Sequence, residues 1–93
     1  MYKIKTTPTF ENEIKKLDRS VAKRIIEKIE FLGENPKLLK NYLRHMPDDL
    51  EGLQKYRIGD WRVLLWVDHQ NQEVVLYGVD HRGRVYKRFS AGA

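Results

Sequence analysis

The chain has no cysteine among its 93 residues, which rules out disulfides and thiolate metal sites and suits a reducing compartment. No apolar run approaches the ~20 residues that a membrane-spanning helix requires, so no membrane association is expected. The opening Met1-Tyr2-Lys3-Ile4-Lys5 alternates charged with apolar residues instead of building the apolar stretch of a signal peptide, and the cytoplasm is the expected compartment. Gly-rich phosphate loops, paired metal carboxylates and a serine placed beside a base are also missing: Ser20 sits where a helix would be capped, and Ser90 lies near the end. From His81 to Ala93 there is no acidic residue, although the chain carries 13.

What is present is basic charge. Lys and Arg number 18, for a formal net charge of +5, and the acid-free stretch holds Arg82, Arg84, Lys87 and Arg88. Such an excess serves solubility, or it attracts a polyanion, either nucleic acid or an acidic protein segment. The length and the 41% hydrophobic content fit one globular domain spanning 1–93.

Tyr2 and Ile4 alternate with Lys3 and Lys5, the pattern of a short strand. Thr7 can cap a helix with Pro8 in its first position, and Phe10, Ile14 and Leu17 follow at helical spacing. A second helix begins near Asp18 or Ser20. Val21, Ile25, Ile29 and Leu32 form its apolar stripe, and Gly33 and Pro36 end it. Residues 37 to 52 read as an ordered connection anchored by Leu38, Leu39 and Leu43, with a helical turn near Leu38. Four strands are then expected: Leu53 to Ile58, Trp61 to Val67, Glu73 to Val79 and Val85 to Phe89. They form an antiparallel meander that the first strand joins at an edge. The fold class is therefore α+β, with an N-terminal strand and a two-helix hairpin packed on one face of a curved, mainly antiparallel sheet of four to five strands.

A two-residue loop at Gly59-Asp60 sets the register. Ile58 then faces Trp61, Arg57 faces Arg62, Tyr56 faces Val63 and Lys55 faces Leu64. One side of the sheet carries Tyr56, Ile58, Trp61, Val63, Leu65 and Val67, continued by Val75, Tyr77 and Val79, and is the face for the helices. The other carries Lys55, Arg57 and Arg62, with Leu53, Leu64, Trp66, Val74 and Leu76 further along. Trp66 is either a stacking platform for a base or part of a second small hydrophobic cluster. Folding the next hairpin about Gln70 puts Arg62 near Gly78 and brings Asp80, His81 and Arg82 beside the Gly59-Asp60 end.

Like charges directly opposite one another destabilise a sheet by a few tenths to ~1 kcal/mol, so Arg57 and Arg62 invite an anionic ligand such as a phosphate. The competing reading is that Arg57 pairs with Asp60 or Asp80 and the rest is solvated surface. The Asp68-His69 and Asp80-His81 pairs lie at opposite ends of one strand, ~20 Å apart at the usual rise, and cannot share an ion. No metal and no cofactor are expected, and His45 and His69 receive no role.

Lys55, Arg57, Arg62, His81, Arg82 and Tyr86 together suit RNA. The 2′-hydroxyl is a built-in nucleophile, and a metal-free site needs only to orient it, stabilise the crowded phosphate and move protons. Arginine forks hold phosphate while a lysine or histidine shuttles protons. A phenol with its pKa lowered by neighbouring cations can do the same. DNA lacks that hydroxyl. Arg62, Arg82 and Tyr86 are expected to be partly exposed.

The chain resembles the RelE/ParE toxin superfamily, and within it the RelE-like mRNA interferases. The likeness runs over nearly the whole length and is carried by three segments: Leu43-Arg44-His45-Met46-Pro47-Asp48, Tyr56-Arg57-Ile58-Gly59-Asp60-Trp61-Arg62 and Asp80-His81-Arg82-Gly83-Arg84-Val85-Tyr86. It implies the toxin of a type II toxin-antitoxin system, cleaving mRNA in the ribosomal A site with contacts to 16S rRNA. It also implies neutralisation by a cognate antitoxin, and DNA contact only through the toxin-antitoxin complex. Carried over by resemblance, Lys55, Arg57 and Arg62 handle the phosphate. Arg82 is then the transition-state or leaving-group cation, Tyr86 the catalytic or base-stacking tyrosine, and His81 a participant in proton transfer, with Arg44, Arg84, Lys87 and Arg88 as RNA-binding residues. Leu53 departs from the pattern, standing where well-known members have a further lysine. The family also contains ParE-like gyrase inhibitors that share the scaffold without the catalytic set, and catalytically weak antitoxin-binding homologues.

Overall fold

The structure, a computed structural model, describes residues 1–40 and 42–90; Ala91 to Ala93, the last of the acid-free stretch, lie outside the described residues. The elements run β1 (Lys3–Thr6), α1 (Pro8–Ile14), α2 (Arg19–Glu34), two 3-10 turns (Pro36–Leu38 and Asp48–Leu50), β2 (Gln54–Ile58), β3 (Trp61–Asp68), β4 (Glu73–His81) and α3 (Arg82–Ser90). The strands form one mixed sheet in the order β1-β4-β3-β2. β1 is parallel to β4 at one edge, and the remaining pairs are antiparallel.

The start of α1 follows its residue types. The Thr7 hydroxyl accepts from the Phe10 amide at 3.3 Å, and Pro8 occupies the first turn, where its missing N–H costs nothing. The same hydroxyl donates to the Leu76 carbonyl at 2.9 Å, fastening the helix start to β4. Phe10 from α1 and Ile25, Ile29 and Leu32 from α2 bury against Ile58, Val63, Leu65, Val74, Leu76 and Val79 of the sheet. Gly33 lets α2 lie close to β1, since a Cβ there would stand 3.0 Å from the Ile4 side chain.

The hairpin register between β2 and β3 is the expected one: Arg57 opposes Arg62 and Lys55 opposes Leu64, with Gly59 at φ +58° in the turn. Between β3 and β4 the register differs from expectation. A bulge at Leu64/Leu65 moves the pairing, so that Arg62 opposes Asp80 and Leu64 opposes Gly78. The turn before β4 is itself one residue off the expected fold-back, pairing Asp68 with Glu73, and this sets the parity of the first half of β4; the bulge then returns Val79 to the expected face. Val74 and Leu76 therefore enter the core beneath α1 and α2, while Tyr77 joins the cluster on the opposite face.

A larger correction concerns the end of the chain. Val85 to Phe89 is expected as a strand, but Arg82–Ser90 is a helix. Val85 and Phe89 stand four apart, the spacing of one helical face, and pack on Leu53, Leu64, Trp66 and Tyr77. β-branched and aromatic residues suggested a strand from composition, and the tertiary demand to cover Leu53 and Leu64 decided for helix. Trp66 belongs to this second cluster. Its indole N–H donates to the Glu51 carbonyl at 3.0 Å, and its ring meets Tyr77 edge-on at 5.5 Å.

Candidate nucleic-acid site

α3 closes the second face of the sheet over its apolar half and leaves the cationic half open. β2 supplies Lys55 and Arg57, β3 supplies Arg62, and α3 lowers Tyr86 onto them. The Lys55 ammonium donates to the Tyr86 hydroxyl at 2.9 Å, and its nitrogen lies 4.8 Å from the ring centre. This contact holds the phenol below its usual pKa of 10.0. The hydrogen bond from Lys55 contributes most, then the charge of Lys55, with a further contribution from Arg62. Tyr86 is otherwise open to solvent, at 69% exposure.

Arg62 is buried, which differs from the expected partial exposure, with only 9% of its surface accessible. One of its terminal nitrogens donates to the Gly59 and Trp61 carbonyls, each at 2.8 Å. Carbonyl oxygens satisfy the guanidinium without neutralising it, so Arg62 is a fixed positive charge beneath the phenol. Arg57, directly opposite, is exposed and has no ion-pair partner among the described residues. The pairing of Arg57 with Asp60 or Asp80 is not what the fold adopts. Asp60 lies 3.7 Å from Arg82, and Asp80 lies 3.6 Å from Arg88.

The strand-end placement of His81 and Arg82 is as expected: His81 opposes Trp61, and the Arg82 amide donates to the Asp60 carbonyl at 2.8 Å. Sharing an end is not sharing a face, however. His81 meets Trp61 edge-on at 5.4 Å and lines a cavity with Glu13, Lys16, Leu17 and Arg84 on the α1 side. It is thereby parted from Lys55 and Tyr86. Arg82 opens α3, and its contact with Asp60 is exposed on both sides and therefore weak. Among the described residues no three His, Cys, Asp or Glu side chains gather to hold a metal ion.

The model of the ParE toxin family of type II toxin-antitoxin systems matches residues 4–86. The chain belongs to the RelE/ParE toxin family. RelE4 of Methanocaldococcus jannaschii is 33% identical over 92 residues, covering 95% of this chain and 94% of that one. Among solved structures, the RelBE2 toxin-antitoxin complex of Mycobacterium tuberculosis matches with a TM-score of 0.74 at 28% identity, over 87% of this chain and 98% of the other. The isolated RelE toxin of E. coli matches with a TM-score of 0.70 at 22% identity, over 99% and 98%. It shares the fold. The protein is thus a toxin of a type II toxin-antitoxin system with the RelE-like α+β architecture.

Of the toxin's expected RNA-binding residues, Arg44 is exposed beside the Lys55–Tyr86 pair, Arg84 and Lys87 are exposed on α3, and Arg88 is occupied elsewhere. Arg88 bonds Glu13 at 2.8 Å, with its side chain only 16% exposed, and stacks 5.3 Å from the Tyr77 ring centre. Glu13 also accepts from the Val79 amide at 3.1 Å, a donor on the stretch of β4 that extends past β1. Gly78 makes this possible, because a Cβ there would stand 2.6 Å from both Arg88 and Glu13. The latch ties α3 to α1. Sequence reasoning left Glu13 aside, since an acid on a short amphipathic helix looks like solvated surface.

Proposed function

We propose that the toxin is a metal-independent, ribosome-dependent endoribonuclease that cleaves mRNA in the A site. The observation that carries this reading is the Lys55–Tyr86 hydrogen bond set against the Arg57–Arg62 pair. A substrate phosphate between the two arginines relieves their mutual repulsion and receives a fixed charge from Arg62. Tyr86, as the phenolate that Lys55 favours, takes the proton of the neighbouring 2′-hydroxyl. The 2′-oxygen bonds to phosphorus, and the bond from phosphorus to the 5′-oxygen breaks. The leaving oxygen takes a proton from the solvated side, where Arg82 steadies its charge. The products are a 2′,3′-cyclic phosphate and a 5′-hydroxyl.

A cognate antitoxin is the protein partner. Support comes from relatives solved as toxin-antitoxin complexes in M. tuberculosis and Pyrococcus horikoshii and from the net charge of +5, which an acidic segment would offset. DNA contact belongs to that complex. Ribosomes programmed with a defined codon in the A site, incubated with the toxin, should yield a truncated message; intact message beside an active control toxin would sink the nuclease reading. The second reading, gyrase inhibition, draws on the match to the ParE family model. A supercoiling assay separates the two, and the Lys55–Tyr86 hydrogen bond favours the nuclease.

A further inference from the structure

α3 is nine residues long, and a helix that short is marginal in water without tertiary support. Its apolar seat is Val85 and Phe89 on Leu53, Leu64, Trp66 and Tyr77. Apolar burial is non-directional, so that seat holds the helix down without fixing its roll about its own axis. Successive helical residues turn by about 100°, which puts Tyr86 and Arg88 on opposite flanks of the Val85–Phe89 face. In the sheet order β1-β4-β3-β2, Tyr86 meets Lys55 on the β2 side, while Arg88 meets Asp80 and, from α1, Glu13 on the β4 side. A roll of α3 moves both contacts at once.

The contact on the β4 side is the stiffer of the two. The Lys55–Tyr86 bond is exposed to solvent, whereas the Glu13 carboxylate is anchored at both oxygens. Oε1 accepts from the Val79 amide at 3.1 Å and Oε2 from Arg88 at 2.8 Å. α1, which carries Glu13, is fastened to the same strand again through the Thr7 hydroxyl on the Leu76 carbonyl. Arg88 is held further by Asp80 at 3.6 Å and by the Tyr77 ring. Charge-assisted hydrogen bonds to a fixed anchor are directional and set an orientation. We infer that Glu13, acting through Arg88, is a positioning residue for the cleavage, fixing the roll of α3 so that Tyr86 stays on Lys55. The inference rests on the nuclease reading above, and it gives Arg88 a role in the reaction without contact with RNA.

Glu13→Gln keeps an acceptor for Val79 and removes the charge that orders Arg88. On programmed ribosomes its kcat should fall roughly 10- to 100-fold, the scale of a reacting group misplaced by an ångström, with KM held within about twofold because the phosphate-binding arginines are untouched. The chain has five tyrosines, so the Tyr86 phenol is followed as the ultraviolet difference between each variant and its Tyr86→Phe counterpart. In Glu13→Gln it should titrate at higher pH than in the wild type, since the phenol spends less time on Lys55. Ile25→Ala, which weakens the main core without removing a latch atom, should leave the titration and kcat in place. An unchanged titration and kcat in Glu13→Gln, or a change in KM alone, overturns the positioning role. An equal shift in Ile25→Ala also overturns it, by tracing the effect to lost stability. If Glu13→Gln does not fold, Gly78→Ala, whose Cβ crowds the ends of Glu13 and Arg88, decides by the same readouts with a smaller shift. The two proposals fail separately. Cleavage that is indifferent to Glu13 removes the positioning role and keeps the nuclease, whereas a moved titration in a toxin that never cleaves removes the nuclease and keeps the hold of Glu13 on the phenol.

Discussion

The two faces of this one sheet are put to different uses. Beneath α1 and α2, ten buried side chains form a continuous core. On the other face, among the described residues, Leu53, Leu64 and Val85 are buried, Val85 from the nine-residue helix α3 that covers the other two. Apolar burial stabilises by roughly 25 cal/mol per Å², so the first face dominates the stability of the fold. The second face buries just enough to seat α3 and gives the remainder to Lys55, Arg57, Arg62 and Tyr86. A cluster of like charges costs stability, and the first face offsets that cost.

The sharpest way to separate the faces is through activity. Tyr86→Phe removes a hydroxyl exposed to solvent; cleavage on programmed ribosomes should fall about 10²- to 10⁴-fold, while the melting temperature stays put. Arg62→Ala should lose activity too but cannot be silent for the fold, because it leaves the Gly59 and Trp61 carbonyls without their donor, at about 1–3 kcal/mol. Were Tyr86→Phe fully active, the second face would be a binding surface and nothing more.

Stability supplies the converse test. Ile25→Ala, at a site with no exposure, should cost about 2–5 kcal/mol in urea unfolding. Val85→Ala should cost less, and it should raise hydrogen exchange in α3 before it affects α2, since α3 can open without the larger core. Equal protection of the two helices would mean that the faces unfold as one unit.

Much of this division is legible in the sequence, and the reason is geometric. The Gly59-Asp60 turn fixes the β2–β3 register, and with it the Arg57–Arg62 pair, because a two-residue loop leaves no slack. The β3–β4 register depends on where the turn closes, Asp68 against Glu73, which is why Val75 and Tyr77 are expected on the wrong face, and on a bulge at Leu64/Leu65 that no residue type announces. α3 is hidden for another reason. Val85, Tyr86 and Phe89 favour strands by type, and only the four-residue spacing of Val85 and Phe89 against Leu64 reveals the helix. The latch of Arg88, Glu13 and Gly78 is a meeting of three distant segments, and local patterning carries no trace of it.

That latch gives a smaller, coupled effect. Glu13→Gln should loosen α3, at about 1.5–3 kcal/mol for a hydrogen bond to a charged group, and Gly78→Ala should loosen it by less, since its Cβ would push aside only the flexible ends of Arg88 and Glu13. Combined, they should cost clearly less than their sum, because both break the same contact. Full additivity in a double-mutant cycle would separate the two residues.

The smallest effect is a shift in titration. Lys55 lowers the pKa of Tyr86, so the phenolate forms at lower pH than in free tyrosine, and the rising limb of the pH–rate profile lies below the ordinary range near 10. Lys55→Gln should move both the limb and the phenol titration to higher pH. The latter is read as the difference in ultraviolet absorbance against Tyr86→Phe.

The central claim, that these cations and the phenol set the RNA's own 2′-hydroxyl upon the next phosphate, is tested most directly by one atom of the substrate. Programmed ribosomes carrying an A-site codon with a single 2′-deoxy ribose before the scissile phosphate should resist the toxin completely at that bond, while the all-ribo message is cut. Cleavage at the same phosphate of the deoxy-substituted message would contradict the account.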